Sequence, residues 1–241
     1  MLGSATVPEL ANEVPAALTT QEEVLVDGIV AMVAHPEYPC LGARSVFRRD
    51  RATVRVYHEL DAPATAQLLL QDLRQFASTV DPDEGFASFI AIFRGPRITD
   101  EEHFEQLLWS QLQRLHAADD EPWSDEVSPD PNDQHFAFSA AGTPYFVVGL
   151  HPMASRDARR AGSPVLVFNL HEQFEALRAS GQFPRMRDLI RERDEQLQGT
   201  VNPMVGDHGE ASEARQYSGR KVGPGWQAPF SAGEDTTGAH A

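Results

Sequence analysis

Gly142–Glu175 reads GTPYFVVGLHPMASRDARRAGSPVLVFNLHEQFE, two short apolar runs that each break off at a histidine. The first, Tyr145 to Val148, has the length of a buried strand and ends in Gly149-Leu150-His151-Pro152. Pro152 restricts the His151 backbone to extended conformations, so the ring leaves the strand end in a limited direction. Ser155 is placed to cap a short basic turn carrying Arg156, Arg159 and Arg160. The second run, Val165 to Phe168, meets Asn169-Leu170-His171-Glu172, where Asn169 and Glu172 have capping-box spacing and set His171 in a first helical turn. Upstream, His135 to Ser139 is a further short apolar run. Ala140 to Pro144 separates it from Tyr145, the spacing of a hairpin. A hairpin beside helical segments excludes a purely parallel sheet. The predicted class is α+β, a single domain with a mostly antiparallel central sheet flanked by helices.

Other elements extend outward from this stretch. Thr20 with Glu23 has capping-box spacing ahead of a helix that ends before His35-Pro36, and Thr53 to Tyr57 alternates like a strand. Tyr38 to Arg44 reads as a connector. Leu69, Leu70, Leu73, Phe76 and Ala77 form one helical stripe. Phe86 to Phe93 is apolar on both faces, which marks a central strand. Thr99 and Glu102 cap a helix with Phe104, Leu107, Leu108, Leu112 and Leu115 on one side. Another helix, opened by Pro184 and stopped by Gly199, turns Met186, Leu189, Ile190 and Leu197 inward. A short helix near Glu210–Gln216 follows. Residues 1–19 read as a flexible arm, 20–230 as the domain and 231–241 as a disordered tail.

At 241 residues the chain is long enough for a substantial core, and its formal net charge is −16. Such a balance repels phosphates, which excludes nonspecific nucleic-acid binding and favours a small cationic substrate. The charge is uneven: Asp119 to Asp133 holds seven carboxylates and no Lys or Arg, as in a solvated loop. A single cysteine, Cys40, excludes an internal disulfide and suits a reducing compartment. With no signal-peptide pattern and no apolar stretch of bilayer length, the expectation is a cytoplasmic protein without a membrane partner.

Several blocks resemble the YqcI/YcgG family: YPCLGARS at 38–45, FASFIAIFRGP at 86–96, FEQLLWSQLQRLH at 104–116 and FAFSAAGTPYFVVGLHPMASRDARR at 136–160. LVFNLHEQFEALR at 166–178, RDEQLQGTVNPM from 193 and SEARQYSGR to 220 continue the pattern. One departure is Trp226-Gln227-Ala228-Pro229-Phe230, where the family reads Trp-x-Cys-Pro-Phe, so any role of that cysteine is lost here. The resemblance implies heme b and N-hydroxylation of a guanidine or amine nitrogen in an arginine-like substrate. Heme requires an axial ligand, an apolar slot and donors for two propionates. His151 is the expected ligand, with His171 and Cys40 as alternatives. Arg156, Arg159, Arg160, Arg215 and Arg220 are the candidate propionate partners. Asp207, Glu210 and Glu213 are candidate carboxylates for a guanidinium. No flavin or pyridine-nucleotide fingerprint is present, so electrons come from an external donor or from peroxide. Two rival readings are a non-heme iron site of His151, His171 and Glu172 or Glu175, and a noncatalytic heme carrier or sensor.

Overall fold

A computed structural model describes residues 18–81, 84–200 and 212–233. The predicted arm before Leu18 and the tail beyond Gly233 lie outside these residues, as do Asp207 and Glu210. The architecture is α+β, with a five-stranded mixed sheet and seven α-helices among the described residues. The strands are β1 (Ala52–Glu59), β2 (Ser88–Gly95), β3 (Phe138–Ala140), β4 (Thr143–Leu150) and β5 (Val165–Leu170). They lie in the order β1-β2-β5-β4-β3, with only β1 and β2 parallel. The helices are α1 (Thr20–Ala34), α2 (Leu41–Arg48), α3 (Pro63–Thr79), α4 (Glu101–Ala118), α5 (His171–Ala179), α6 (Phe183–Gln198) and α7 (Ala214–Tyr217).

The hairpin forms with a tighter turn than the spacing suggested. Ala141 and Gly142 both have positive φ, 52° and 69°, which matches the twist of a two-residue connection. Both predicted early caps lie one residue off. Thr19, not Thr20, makes the capping box, with Glu22, because the TTQEE run offers the same spacing twice. Asp100 rather than Thr99 caps α4, its carboxylate accepting from the His103 N–H. Tyr38–Arg44 is no loop throughout: Cys40 is the N-cap of α2, and its sulfur accepts from the Ala43 N–H at 3.4 Å. Ser155 does not cap the 3-10 turn at Asp157–Arg159, but donates its hydroxyl to Glu101 instead.

The two faces of the sheet are covered unequally. Side chains alternate across a strand, so Phe89, Ala91 and Phe93 on β2 share one face with Tyr145 and Val147 on β4 and Leu166 and Phe168 on β5. Helices α3 and α4 seal that face with Leu69, Leu73, Phe104, Leu108, Trp109 and Leu112, all essentially inaccessible. Packing there is close enough that a Cβ on Gly149 would stand 2.6 Å from the Phe104 ring. The opposite face carries Ile90, Ile92, Val148, Val167 and Leu150 in a smaller cluster with Ile29 of α1. Phe146, Val148, Val167 and Asn169 on that face are only half-buried. Helices α2, α5 and α6 reach this face without sealing it, and a cavity lies beneath them.

The C-terminal segment is fastened to α4. Glu105, 6% exposed, accepts from the Ser218 hydroxyl at 3.0 Å, from Arg220 through Nε at 3.0 Å and through Nη2, and from Trp226 Nε1 at 3.4 Å. Trp226 and Phe230 then pack around Trp109, with centroid separations of 6.1 Å each. Ala228, at the family's cysteine position, is buried in this apolar cluster and does not line the cavity.

Candidate functional site

The cavity has a volume of about 300 Å³, at the lower end of the range of roughly 300–1,000 Å³ for ligand pockets. Its floor is the half-covered sheet face. One row across the strands is polar at Ser88 and Asn169, which are register partners, and the next row is apolar at Ile90, Val167 and Val148. Asn169 does not cap α5 as its spacing with Glu172 suggested. It is a strand residue, accepting from the Ser88 hydroxyl at 2.7 Å and donating to the Phe146 carbonyl at 3.2 Å. The N-cap of α5 is Leu170, with no side-chain bond.

Strand parity separates the two histidines. His151 continues the alternation of Tyr145, Val147 and Gly149, so it turns toward α4. It is 1% exposed, its ring stacks on Phe104 at 4.1 Å, and it is not among the cavity-lining residues. Its Nδ1 has no hydrogen-bond partner among the described residues. His171 follows Val165, Val167 and Asn169 and enters the cavity wall as the first residue of α5. Its Nε2 lies 3.6 Å from Glu175. The two histidines leave opposite faces of the sheet and do not share one site. Glu172 and Glu175 are exposed, and among the described residues no group of three His, Cys, Asp or Glu is arranged to hold a bare metal ion. The predicted non-heme site does not assemble.

Of the predicted arginines, only Arg159 lines the cavity. Arg156 is buried in an ion pair with Asp194 and donates to Thr200 Oγ1 at 2.9 Å. Arg160 is exposed and pairs with Asp157 at 2.8 Å. Arg215 donates to the Gly223 carbonyl and lies over Trp226, and Arg220 is held by Glu105. Arg159 is different: it donates to three backbone carbonyls, Gly149, Gln216 and Tyr217, and burial pulls its guanidinium below the usual arginine range. Arg178 and Arg187, absent from the sequence-based list, complete the cationic wall. Helical spacing was the available signal, since His171, Phe174 and Arg178 fall at i, i+3 and i+7 on one face of α5. On α6, Met186 and Ile190 face the cavity as expected, while Leu189 is 41% exposed.

Glu213 is the described member of the predicted carboxylate set, and it does line the cavity. It accepts from the Tyr217 hydroxyl at 2.7 Å, and burial raises its carboxyl to about 8 despite that bond and the nearby Arg178. Cys40 and Tyr38 also line the cavity, and burial pushes the Cys40 thiol up, which keeps it protonated. The arrangement therefore offers an imidazole, an apolar floor, guanidinium groups and a neutral carboxyl around one space.

Desolvation lowers the His151 ring to about 4 from an ordinary 6.5, so folding favours its neutral form. Its stabilising contribution is complete above pH 6.5 and is lost as pH falls toward 4. The loss amounts to about 3 kcal/mol over that window. Urea unfolding at pH 7 and pH 4 should show that excess in the wild type relative to His151→Phe, which keeps the stack on Phe104 and cannot titrate.

Comparison with known proteins agrees on one family. The model described as the YqcI/YcgG family matches residues 29–231. Two relatives from Bacillus subtilis (strain 168), named as uncharacterized proteins YcgG and YqcI, are 29% and 28% identical, each over 75% of both chains. A protein of Streptomyces lavendulae, named "Putative N(omega)-hydroxy-L-arginine synthase DcsA", is 26% identical over 79% of this chain and 76% of its own. No solved structure gives a significant match. Among the described residues no helix is long and apolar enough to cross a membrane.

Proposed function

The chain belongs to the YqcI/YcgG family, and from that membership we propose that it is a heme-dependent N-hydroxylase acting on a guanidine or amine nitrogen of a small cationic substrate. The observation that carries the proposal is the grouping of His171, Arg159, Arg178 and Glu213 around one apolar-floored cavity. The name of the Streptomyces lavendulae relative supports the reaction class.

The kinds of residue that line the cavity are those that heme b requires. His171 is the imidazole that would hold the iron, the row of Ile90, Val167 and Val148 gives an apolar bed, and Arg159 and Arg178 supply donors for propionates. His151, the ligand expected from sequence, faces the other side of the sheet. When bound, heme supplies the iron at which dioxygen or peroxide is activated. The chain's own part is to exclude water and to orient the substrate. The apolar row displaces water, and Glu213 on the cavity wall would hold a cationic head by a charge-assisted bond. One oxygen atom enters an N–H bond. With dioxygen, the second leaves as water, which takes two electrons from an external donor and two protons; with peroxide, no donor is needed.

Expression with a heme precursor, followed by a Soret spectrum and a pyridine hemochrome, tests the cofactor. Incubation of the loaded protein with arginine, agmatine or guanidine and peroxide, or a reduced donor with air, tests the reaction. The expected product is heavier by one oxygen atom. A chain that stays colourless and shows no saturable heme titration overturns the proposal.

A further inference from the structure

Five arginines lie between Arg44 and Arg55 against the single carboxylate of Asp50, in a chain whose net charge is −16. Helix α2 carries the first of them on the side away from the cavity. Its Gly42, Ala43 and Val46, with the N-cap Cys40, line the cavity. Leu41, Arg44, Ser45, Arg48 and Arg49, at i, i+3, i+4, i+7 and i+8, surround an open depression of about 330 Å³. One helix, roughly 10–12 Å across with its side chains, thus bears the cavity wall on one face and the depression on another.

The positive charge on the outer face is uncompensated. Arg48 and Arg49 are exposed, and neither they nor Arg44 form an ion pair among the described residues. Arg44 donates instead to the Pro36 carbonyl at 3.0 Å, and Arg193 of α6 donates to the same oxygen. Arg51, by contrast, pairs with Glu84. Arg44 and Arg48 stand at i and i+4, where like charges destabilise a helix. Nothing within the fold offsets that repulsion; a partner of opposite charge would.

We propose that the outer face of α2 is the docking surface for a small acidic one-electron carrier protein. The inference rests on the reading of the cavity as a heme site, whose reaction with dioxygen takes two electrons from an external donor. The carrier arrives reduced, gives up one electron across α2 and leaves oxidised. Two dockings serve one turnover, and water supplies the two protons. Size and charge favour this partner over a long polyanion. The rest of the chain is strongly acidic, so a nucleic acid extending past the patch meets repulsion. A compact acidic protein meets only the basic face, and weak redox encounters bury less than about 1,200 Å². Complementary charge gives such an encounter speed and orientation more than tight affinity.

The test uses the heme-loaded full chain, a plant-type ferredoxin as the acidic probe, and the double variant Arg48→Glu/Arg49→Glu. Both residues are exposed and lie outside the cavity, so circular dichroism and the Soret band should match the wild type. Calorimetric titration should give a dissociation constant that rises with ionic strength and is about tenfold higher in the variant. Reduction by ferredoxin, followed by the Soret shift, should slow in parallel, while reduction by dithionite and hydroxylation with peroxide stay unchanged. Equal binding by wild type and variant overturns the inference. So does a wild type that hydroxylates with peroxide yet binds no ferredoxin, a result that leaves the proposed function standing. An RNA oligonucleotide that binds through Arg48 and Arg49 as tightly as ferredoxin assigns the patch to polyanions and also overturns it. A chain that takes up no heme overturns the proposed function, and the inference with it.

Discussion

His171→Ala is expected to abolish retention of ferric heme through purification, whereas His151→Ala should leave the spectrum nearly unchanged. Loss of a group that merely supports a metal ligand costs about 10–100-fold in affinity, so removal of the ligand itself should weaken heme binding by at least about 100-fold. The reason for choosing His171 is strand parity: it lines the cavity, while His151 is stacked on Phe104 beneath α4. Imidazole added to His171→Ala should restore a Soret band, because the apolar bed and the arginines remain. Circular dichroism separates loss of cofactor from loss of fold. If His151→Ala is the variant that folds yet loses heme, the ligand is His151 and the cavity reading is wrong.

Glu105→Ala is expected to cost about 1–3 kcal/mol of stability, the range for leaving buried donors without their acceptor. The variant leaves the Arg220 guanidinium, the Ser218 hydroxyl and the Trp226 indole N–H without their shared acceptor on α4. Against a total stability of about 5–15 kcal/mol, this is a large fraction. Urea unfolding measures it, and Glu105→Gln should lose less because it keeps an acceptor. The effect reaches the cavity, since Ser218 directly follows Tyr217 and the same segment carries Glu213. Glu105→Ala should therefore also weaken cation binding, even under conditions where the variant is fully folded. A change below 1 kcal/mol would show that the C-terminal segment is held chiefly by Trp226 and Phe230.

Much of the fold was legible because its signals are local. The hairpin followed from spacing around Ala141-Gly142, the central strand from the uninterrupted run at Phe89–Phe93, and α4 from the stripe of Phe104, Leu108 and Leu112. Caps slipped by a residue where Thr19 and Thr20 offered equivalent spacings. Asn169 misled for a different reason. Its side chain found Ser88, 81 residues away in sequence, and that cross-strand bond replaced the local cap.

By itself, then, the sequence determined the class of fold, the family blocks, the strand-end placement of both histidines and the alternation that sets neighbouring residues on opposite faces. Tertiary structure alone decided which face is sealed and which holds the cavity. Period-two alternation states that His151 and Gly149 share a side, but it carries no information about which helices will cover that side. That depends on where α4 and α6 dock, through contacts such as Phe104 on β4 and Arg156 with Asp194, between residues far apart in the chain. For the same reason the arginines divided as they did. Their charge is written in the sequence, but their partners are long-range, and those partners turned Arg156 and Arg220 into fasteners and left Arg159, Arg178 and Arg187 on the cavity wall.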